Sequence, residues 1–340
     1  PNVKTPNECS RPLPTFELRH SFVIRHSSFV IADMSKRFDI LGLGCTAVDE
    51  LLYVDTYPPA DAKLRVRRRE RQCGGLTATA LVAAARLGAK CAYAGVLGDD
   101  EDSRFVLDTL TREGIDTSHV LRRKHARPIR SVIIVDETHK TRNIFYDTTG
   151  VIGASPDGPS ARLIRSSRVL FVDLWGLSGM IRAARIARAA GIPIVGDLER
   201  SNAPRFRELF RLIDHLIVPE DFACSFTGTG EAASAAAKLW RKECRVVVVT
   251  SGARGCCAAT SSTEKATEFS AFKVEVTDTT GCGDVFHGAY AAALAFSWRL
   301  PERIRFAAAA AALKATKPGG QAGIPLRSDL EKFLTARRDP

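Results

Sequence analysis

Residues 276–288 read Val-Thr-Asp-Thr-Thr-Gly-Cys-Gly-Asp-Val-Phe-His-Gly, and they hold the residue types in this chain best suited to chemistry. Small residues and two glycines lead into a segment whose apolar spacing predicts a helix over 283–296. The first turn of a helix has backbone N–H groups without carbonyl partners, and these attract anions. Asp284 would then stand at or near the helix cap, within a few ångströms of any phosphate held there. An aspartate cap on a glycine-rich turn could by itself account for Asp284. It requires neither two close glycines nor the Asp278-Thr279-Thr280 lead-in. The segment therefore reads as an anion site with a carboxylate set into it.

Such a turn needs a rigid frame. Residues 38–44 form an apolar run ending in glycines, the pattern of a buried strand. Further strands are predicted over 51–57, 65–72 and 91–97, with helices over 77–87 and 103–113. A hairpin is predicted around Glu137-Thr138-His139, between 130–135 and 141–146. Strand and helix then alternate: 169–172, 180–190, 192–195, 205–212, 215–218, 231–242 and 246–250. Alanine-rich helices over 283–296 and 301–316 follow. This rhythm predicts an α/β fold with a mostly parallel sheet covered on both faces. The extended segments at about 46–72 and 130–147 break it and are expected to form a small projecting sheet.

A chain of 340 residues suits one large α/β domain or two ordinary ones. Hydrophobic residues make up 45% and charged residues 26%, a globular composition. No run of about 18 apolar residues occurs, which excludes a membrane-spanning helix. The net charge of +11 has three readings: nucleic acid, a phosphate-rich ligand, or a solvated basic surface. The densest cluster, Lys63-Leu64-Arg65-Val66-Arg67-Arg68-Arg69-Glu70-Arg71, lacks interleaved aromatics and so does not suit stacking on single strands. If it is one strand, Lys63, Arg65, Arg67, Arg69 and Arg71 share a face. An inward face would favour an anionic substrate, an outward face a neutral one. The nine scattered cysteines form no C-x-x-C pair, so reduced thiols in a cytoplasm are expected rather than zinc or disulfides.

Gly42-x-Gly44-x-x-Ala47 matches a dinucleotide fingerprint, but a strand-like stretch follows where a helix is required. No glycine precedes Lys-Ser or Lys-Thr, which disfavours a P-loop. Residues 19–24 are nearly repeated at 25–31, ahead of Met34. Residues 1–36 are read as an extension outside the domain, which is expected over 37–338.

The segment 278–284 resembles the second signature of the ribokinase-like (PfkB) carbohydrate kinases, D-T-x-G-A-G-D, with Cys282 in place of alanine. Gly74-Gly75-x-x-x-Thr79 is similar to the first signature, with Thr79 in place of asparagine. Gly98-Asp99-Asp100 through Leu110 to Gly114-Ile115-Asp116-Thr117 resembles a further family stretch. Thr250-Ser251-Gly252-Ala253-Arg254-Gly255 looks like the nucleotide-binding T-x-G-x-x-G. Tyr57-Pro58 through Asp61 to Lys63, and Asp197-Leu198-Glu199, are similar to ketohexokinase and sulfofructose-kinase-like branches. The magnesium-organising N-x-x-E aligns with Pro219-Glu220-Asp221-Phe222, where Glu220 or Asp221 would substitute.

The resemblance implies a ribokinase-like three-layer sandwich with a β-sheet lid. It implies an ATP-dependent kinase acting on a primary hydroxyl of a sugar, with a fructose-like ketose favoured. Anionic sugars, ribose and nucleosides are alternatives, and a non-catalytic sensing homologue is an alternative of another class. Asp284 would be the base, beside an anion hole of Gly281, Cys282 and Gly283. Asp49, Asp61, Gly74, Gly75, Thr79 and Arg142 would meet the sugar, and Thr250, Gly252 and Gly255 the ATP. Magnesium would accompany ATP near Glu220. Asp278 and Thr280 would belong to a monovalent-cation loop completed by residues 319–323, with potassium as its ion. A homodimer through the lid sheets is expected, with neither nucleic acid nor membrane as partner.

Overall fold

Apolar residues on consecutive positions of one strand must be covered on both sides, and that requirement sets the layering. A computed structural model of the chain describes residues 1, 36–139, 141–260 and 265–337. The expectation for residues 1–36 lies almost wholly outside them. The chain runs β1 (Phe38–Leu43), β2 (Ala47–Val54), β3 (Arg68–Gly74), α1 (Leu76–Arg86), β4 (Cys91–Tyr93), β5 (Val96–Leu97), α2 (Glu101–Arg112) and β6 (Leu121–Arg122). It continues through β7 (Ile129–Asp136), β8 (Thr141–Asp147), α3 (Ala161–Arg165), β9 (Ser167–Val172), α4 (Leu177–Ala189), β10 (Ile194–Asp197), α5 (Phe206–Leu212) and β11 (His215–Pro219). Then come α6 (Glu220–Thr227), α7 (Ala232–Leu239), β12 (Val246–Thr250), β13 (Cys256–Thr260), β14 (Thr267–Phe269), α8 (Cys282–Ala295), α9 (Leu300–Ala315) and α10 (Arg327–Ala336).

The main sheet has the order β14-β13-β12-β11-β10-β9-β1-β4. It is parallel from β4 to β12, and β13 and β14 join antiparallel. Alternate strand residues feed two cores. Ile40, Val169, Phe171 and Val195 pack with α1, α8 and α9 on one face. Leu41, Leu170, Val172 and Ile194 pack with α4 and α7 on the other. The result is the three-layer sandwich expected from the alternating pattern.

A second sheet has the order β3-β2-β7-β8. β2 and β7 run parallel, and the outer pairs are antiparallel. Its strands match the two segments expected to leave the main rhythm, with β3 running two residues past the first and β7 starting one residue before the second. The strand expected over 65–72 is shifted: β3 starts at Arg68, and Lys63, Arg65 and Arg67 lie in the preceding loop. There Leu64 and Val66 are exposed, so the apolar alternation that suggested a strand has no sheet to bury it. The hairpin around Glu137-Thr138-His139 is present, its turn held by backbone donation from Thr138 and His139 to Asp136.

α1 and α8 cross at Gly288, where a Cβ would overlap the carbonyl of Ala80. Loss of this close approach would push apart the two helices that carry the glycine signatures. Gly288→Ala should therefore cost about 1–3 kcal/mol in urea unfolding, the usual scale of overpacking. An unchanged midpoint would show that the crossing has slack.

Candidate active site

Five parallel strands end at one edge of the main sheet, and the residues at or just past their carboxyl ends build the site. Gly44 follows β1, Asp173 follows β9, Asp197 closes β10, Glu220 follows β11, and Thr250 closes β12. Ligands gather at such an edge in open α/β sheets. α8 meets this edge through its first turn. Gly281 precedes it with φ 74°, a left-handed conformation that suits glycine. Gly283 is exposed, and a Cβ on it would meet nothing within 4 Å, so the turn faces open space. Gly281, Cys282 and Gly283 form the turn as expected, although the N–H of Cys282 also donates to the Thr279 carbonyl at 3.2 Å. The Cys282 thiol is raised in pKa by burial and contacts the Ala311 carbonyl at 3.6 Å.

Asp284 is the third residue of α8. A helix N-terminus favours an ionised carboxylate. Here burial acts the other way, followed by the charges of Asp197, Glu199, Asp49 and Asp173, and the Asp284 pKa is raised well above the usual range. A base poised upward is more effective than one held ionised by the dipole alone. Asp173 lies beneath, accepting from Cys45 N at 2.7 Å, Trp175 N at 2.8 Å and the Thr77 hydroxyl at 2.9 Å. Burial pushes it up to about 6 despite these bonds. Asp197 is buried, its pKa raised by burial and then by Glu199 and Asp173, and its Oδ2 has no hydrogen-bond partner. That oxygen is 3.6 Å from Nδ1 of His287. The His287 ring lies between the Gly283 carbonyl, 2.8 Å from Nδ1, and the Ile217 carbonyl, 3.0 Å from Nε2, and the neutral ring donates to one of them. Burial lowers its proton affinity overall, against the pull of the two carbonyls.

The second sheet faces this edge across a cleft of about 390 Å³. Asp49, Arg68, Gln72, Arg142, Asp278 and Thr280 are among its lining residues. Asp49 is raised in pKa by burial, and a Cβ on Gly74 would overlap its carboxylate. Gly75 has φ 92° and passes so close to Thr46 that a side chain would collide with its backbone. Two residues tie the sheet to the loops opposite. Arg142 pairs with Asp278 Oδ1 at 3.5 Å, and Gln72 Oε1 accepts from Gly320 N at 3.2 Å.

Of the expected sugar contacts, Asp61 lies outside the clefts and Thr79 is buried beside Gly281. Asp61 is exposed in the loop before β3 and is not among the residues lining either cleft. Thr79 is buried in α1, and its hydroxyl accepts from Gln321 Nε2 at 3.3 Å, bracing the 319–323 loop. The shared arginine face is also revised. Arg69 and Arg71 lie on the face opposite Asp49 and pair with Glu50, with Arg71 reaching Glu101 and Asp102 as well. The arginine on the cleft side is Arg68, paired with Glu70 and stacked 3.6 Å from the Tyr53 ring centroid.

A second cleft, of about 520 Å³, is largely apolar. Thr250, Gly252 and Gly255 line one side, Phe272 and Val274 lie across it, and Ala308 and Ala312 of α9 close it. An aromatic base fits such walls. Glu220, expected beside magnesium, is held by Arg254, so its charge is already partnered.

The loop expected to hold potassium contains an ammonium. Lys314 of α9 has 0% exposure, and its Nζ donates to the Asp278 carbonyl at 2.8 Å. The Asp278 carboxylate accepts Thr280 N, the Thr280 hydroxyl and Gly319 N at 2.7–2.8 Å. Burial would raise its pKa, but these donors and Lys314 leave it lowered. All three Asp278 oxygens thus carry a hydrogen bond, and a fully buried ammonium lies against the loop expected to hold the metal ion. Sequence reasoning missed Lys314, Asp173, Gln72 and His287. Asp173 at a strand end before a Trp and His287 one turn after Gly283 carried a positional signal. Lys314 in an alanine-rich helix carried none.

The pfkB family carbohydrate kinase description matches residues 43–327. A ribokinase of Haemophilus influenzae is 30% identical over 302 residues, covering 86% of this chain and 97% of that protein. A probable fructokinase-4 of Arabidopsis thaliana is 26% identical, covering 77% and 87%. A 5-dehydro-2-deoxygluconokinase of Shouchella clausii is 24% identical, covering 88% and 96%. Among solved structures, a putative ribokinase from Agrobacterium tumefaciens superposes with a TM-score of 0.82 at 26% identity, covering 88% and 99%. The sandwich, the small sheet facing its edge and the glycine turn at Asp284 agree with that match: this chain belongs to the pfkB family of carbohydrate kinases.

Proposed function

We propose that the chain transfers the γ-phosphoryl group of ATP to a primary hydroxyl of a neutral sugar, a fructose-like ketose in the first place. One observation carries the reading: the polar cleft and the apolar cleft share Thr279 and Val276, and so meet at the turn that leads to Asp284. Sugar under the small sheet and nucleotide against α9 would then converge on residues 281–284. Asp284 accepts the hydroxyl proton, and the turn's N–H groups meet charge on the transferring phosphoryl. The small sheet acts as a lid that excludes water from a transfer hydrolysis would waste. Magnesium supplies charge neutralisation on the phosphates. The unpartnered Asp197 Oδ2, with Glu199 beside it, fits an ion brought in with the nucleotide better than Glu220 does.

The neutral sugar is supported by the partnered arginines. Arg69 and Arg71 turn away from the cleft, Arg68 is matched by Glu70, and Arg142 by Asp278. Asp49 is placed to accept hydroxyl donors. Ribose is the second reading, favoured by the 30% identity with a ribokinase. A panel of fructose, ribose and an acidic sugar, scored by ADP release at low and high salt, decides among them. A strong, salt-sensitive preference for the acidic sugar would overturn the neutral assignment.

The lid also suggests an assembly. β8 is an edge strand exposing Ile144, Phe145 and Tyr146, the last two at 54% and 62%. We infer that two copies pair through these sheets, which would cover an edge otherwise open to aggregation. A cytoplasmic setting is supported by the eight described cysteines, all free thiols.

Three outcomes are expected. Asp284→Asn should lower turnover by roughly 10²–10⁴ while ATP still binds, as measured by single-turnover assay and calorimetry. Near-normal phosphorylation would remove Asp284 from the chemistry. Because the Asp284 pKa is raised, activity should be lost as pH falls through it. Glu199→Gln removes one neighbouring negative charge, so the acidic limb of kcat/KM should move to lower pH by about half a unit. An unmoved limb would remove Glu199 from the field at Asp284. Phe145→Lys should convert a sedimenting dimer into a monomer, and a natural chain that is already monomeric would end the pairing proposal.

A further inference from the structure

A lysine with no exposed surface is uncommon, and one lodged in a loop that prepares an anion site is more so. Lys314 sits in the last turn of α9, where the helix dipole favours a cation. Its Nζ is 2.8 Å from the Asp278 carbonyl and 4.0 Å from Asp278 Oδ2. Asp278 in turn binds Thr280 through two donors and Gly319 through one. Thr280 is the residue before Gly281, so the ammonium is linked by two hydrogen-bonding steps to the anion turn. The Thr277 and Asp278 N–H groups both donate to the Ala315 carbonyl, one residue beyond Lys314. The whole lead-in to Asp284 is therefore strung on the end of α9.

A monovalent metal ion in this loop would need several free oxygens. The Asp278 carbonyl is taken by Lys314, Oδ1 by Thr280 and Oδ2 by Gly319. An added ion would also lie beside an ammonium, and like charges repel.

We propose that the Lys314 ammonium is the resident cation of this loop, standing in for a monovalent metal ion, so that the kinase works without potassium. Lys314 is a positioning residue. It touches neither substrate, holds residues 277–283 in the shape that presents the anion turn, and places fixed positive charge behind that turn. The proposal rests on the kinase reading and on the place of Asp284 within it.

The experiment compares the full chain in potassium, sodium, ammonium and tetramethylammonium chlorides at equal ionic strength. ADP is quantified directly by chromatography, so that no potassium-requiring coupling enzyme intervenes. The natural chain should vary less than twofold in kcat, and its melting temperature should be the same in potassium and tetramethylammonium. Lys314→Met and the smaller Lys314→Ala should lose roughly tenfold or more in kcat in tetramethylammonium, the scale of a displaced catalytic loop. Potassium or ammonium should restore part of that loss saturably in the alanine variant and raise its melting temperature, which a purely structural lysine would not produce. Stimulation of the natural chain fivefold or more by potassium would overturn the proposal. So would undiminished turnover of both variants in tetramethylammonium. If both variants fail to fold, the cation profile of the natural chain decides the matter. If the natural chain turns over no sugar in any salt, the kinase reading falls, and its melting temperatures still decide whether the loop takes potassium.

Discussion

Asp49, Asp173, Asp197, Glu199 and Asp284 crowd the first turn of α8, and each raises the pKa of Asp284 or is that residue. A site that must receive a polyphosphate has to hold this negative charge without expelling its ligand. The fold offsets it with positive features that are fixed before any ligand arrives. The N-terminus of α8 points at the site, Arg142 reaches down from the lid to Asp278, and Lys314 sits behind the same residue. Arg254 pairs with Glu220 just past the end of β11. The remaining tension is chemically useful, because it lifts the proton affinity of Asp284 toward that of a working base.

This balance depends on backbone placement to within a fraction of an ångström. Gly74 leaves room for the Asp49 carboxylate, Gly288 lets α8 lie against α1, and Gly283 leaves the anion turn open. The buried His287 ring then fills the space between the Gly283 carbonyl and β11, so the turn is packed against the sheet as well as held from the end of α9. The turn at 281–284 is braced from both layers that it touches.

Unlike α3, α6, β13, β14 and α10, the alternation of the central strands and helices, the two excursions that build the lid and the turn at 281–284 were legible in the sequence. They rest on period, glycine placement and local composition, which act over a few residues. What was not legible depends on partners far along the chain. Lys314 reads as an ordinary polar residue of an alanine-rich helix until Asp278, 36 positions earlier, is seen beneath it. Asp61 has the right residue type for a sugar contact, but its loop carries it to the surface. The arginine run misled because alternating apolar residues, Leu64 and Val66, imitate a strand where no neighbour is present to pair. The helix dipole alone favours an ionised Asp284, and the carboxylates brought near it by β2, β9 and β10, which act the other way, come from distant parts of the chain.

The lid sheet has a small core of its own, built on Leu51, Tyr53 and Ile133, while the phosphoryl machinery sits on the two large cores of the sandwich. Substitutions on β2, β3, β7 and β8 other than at Asp49, Gln72 and Arg142 can therefore alter what lies beneath the lid without disturbing the helix that carries Asp284. Such a division lets lineages change diet while keeping one engine.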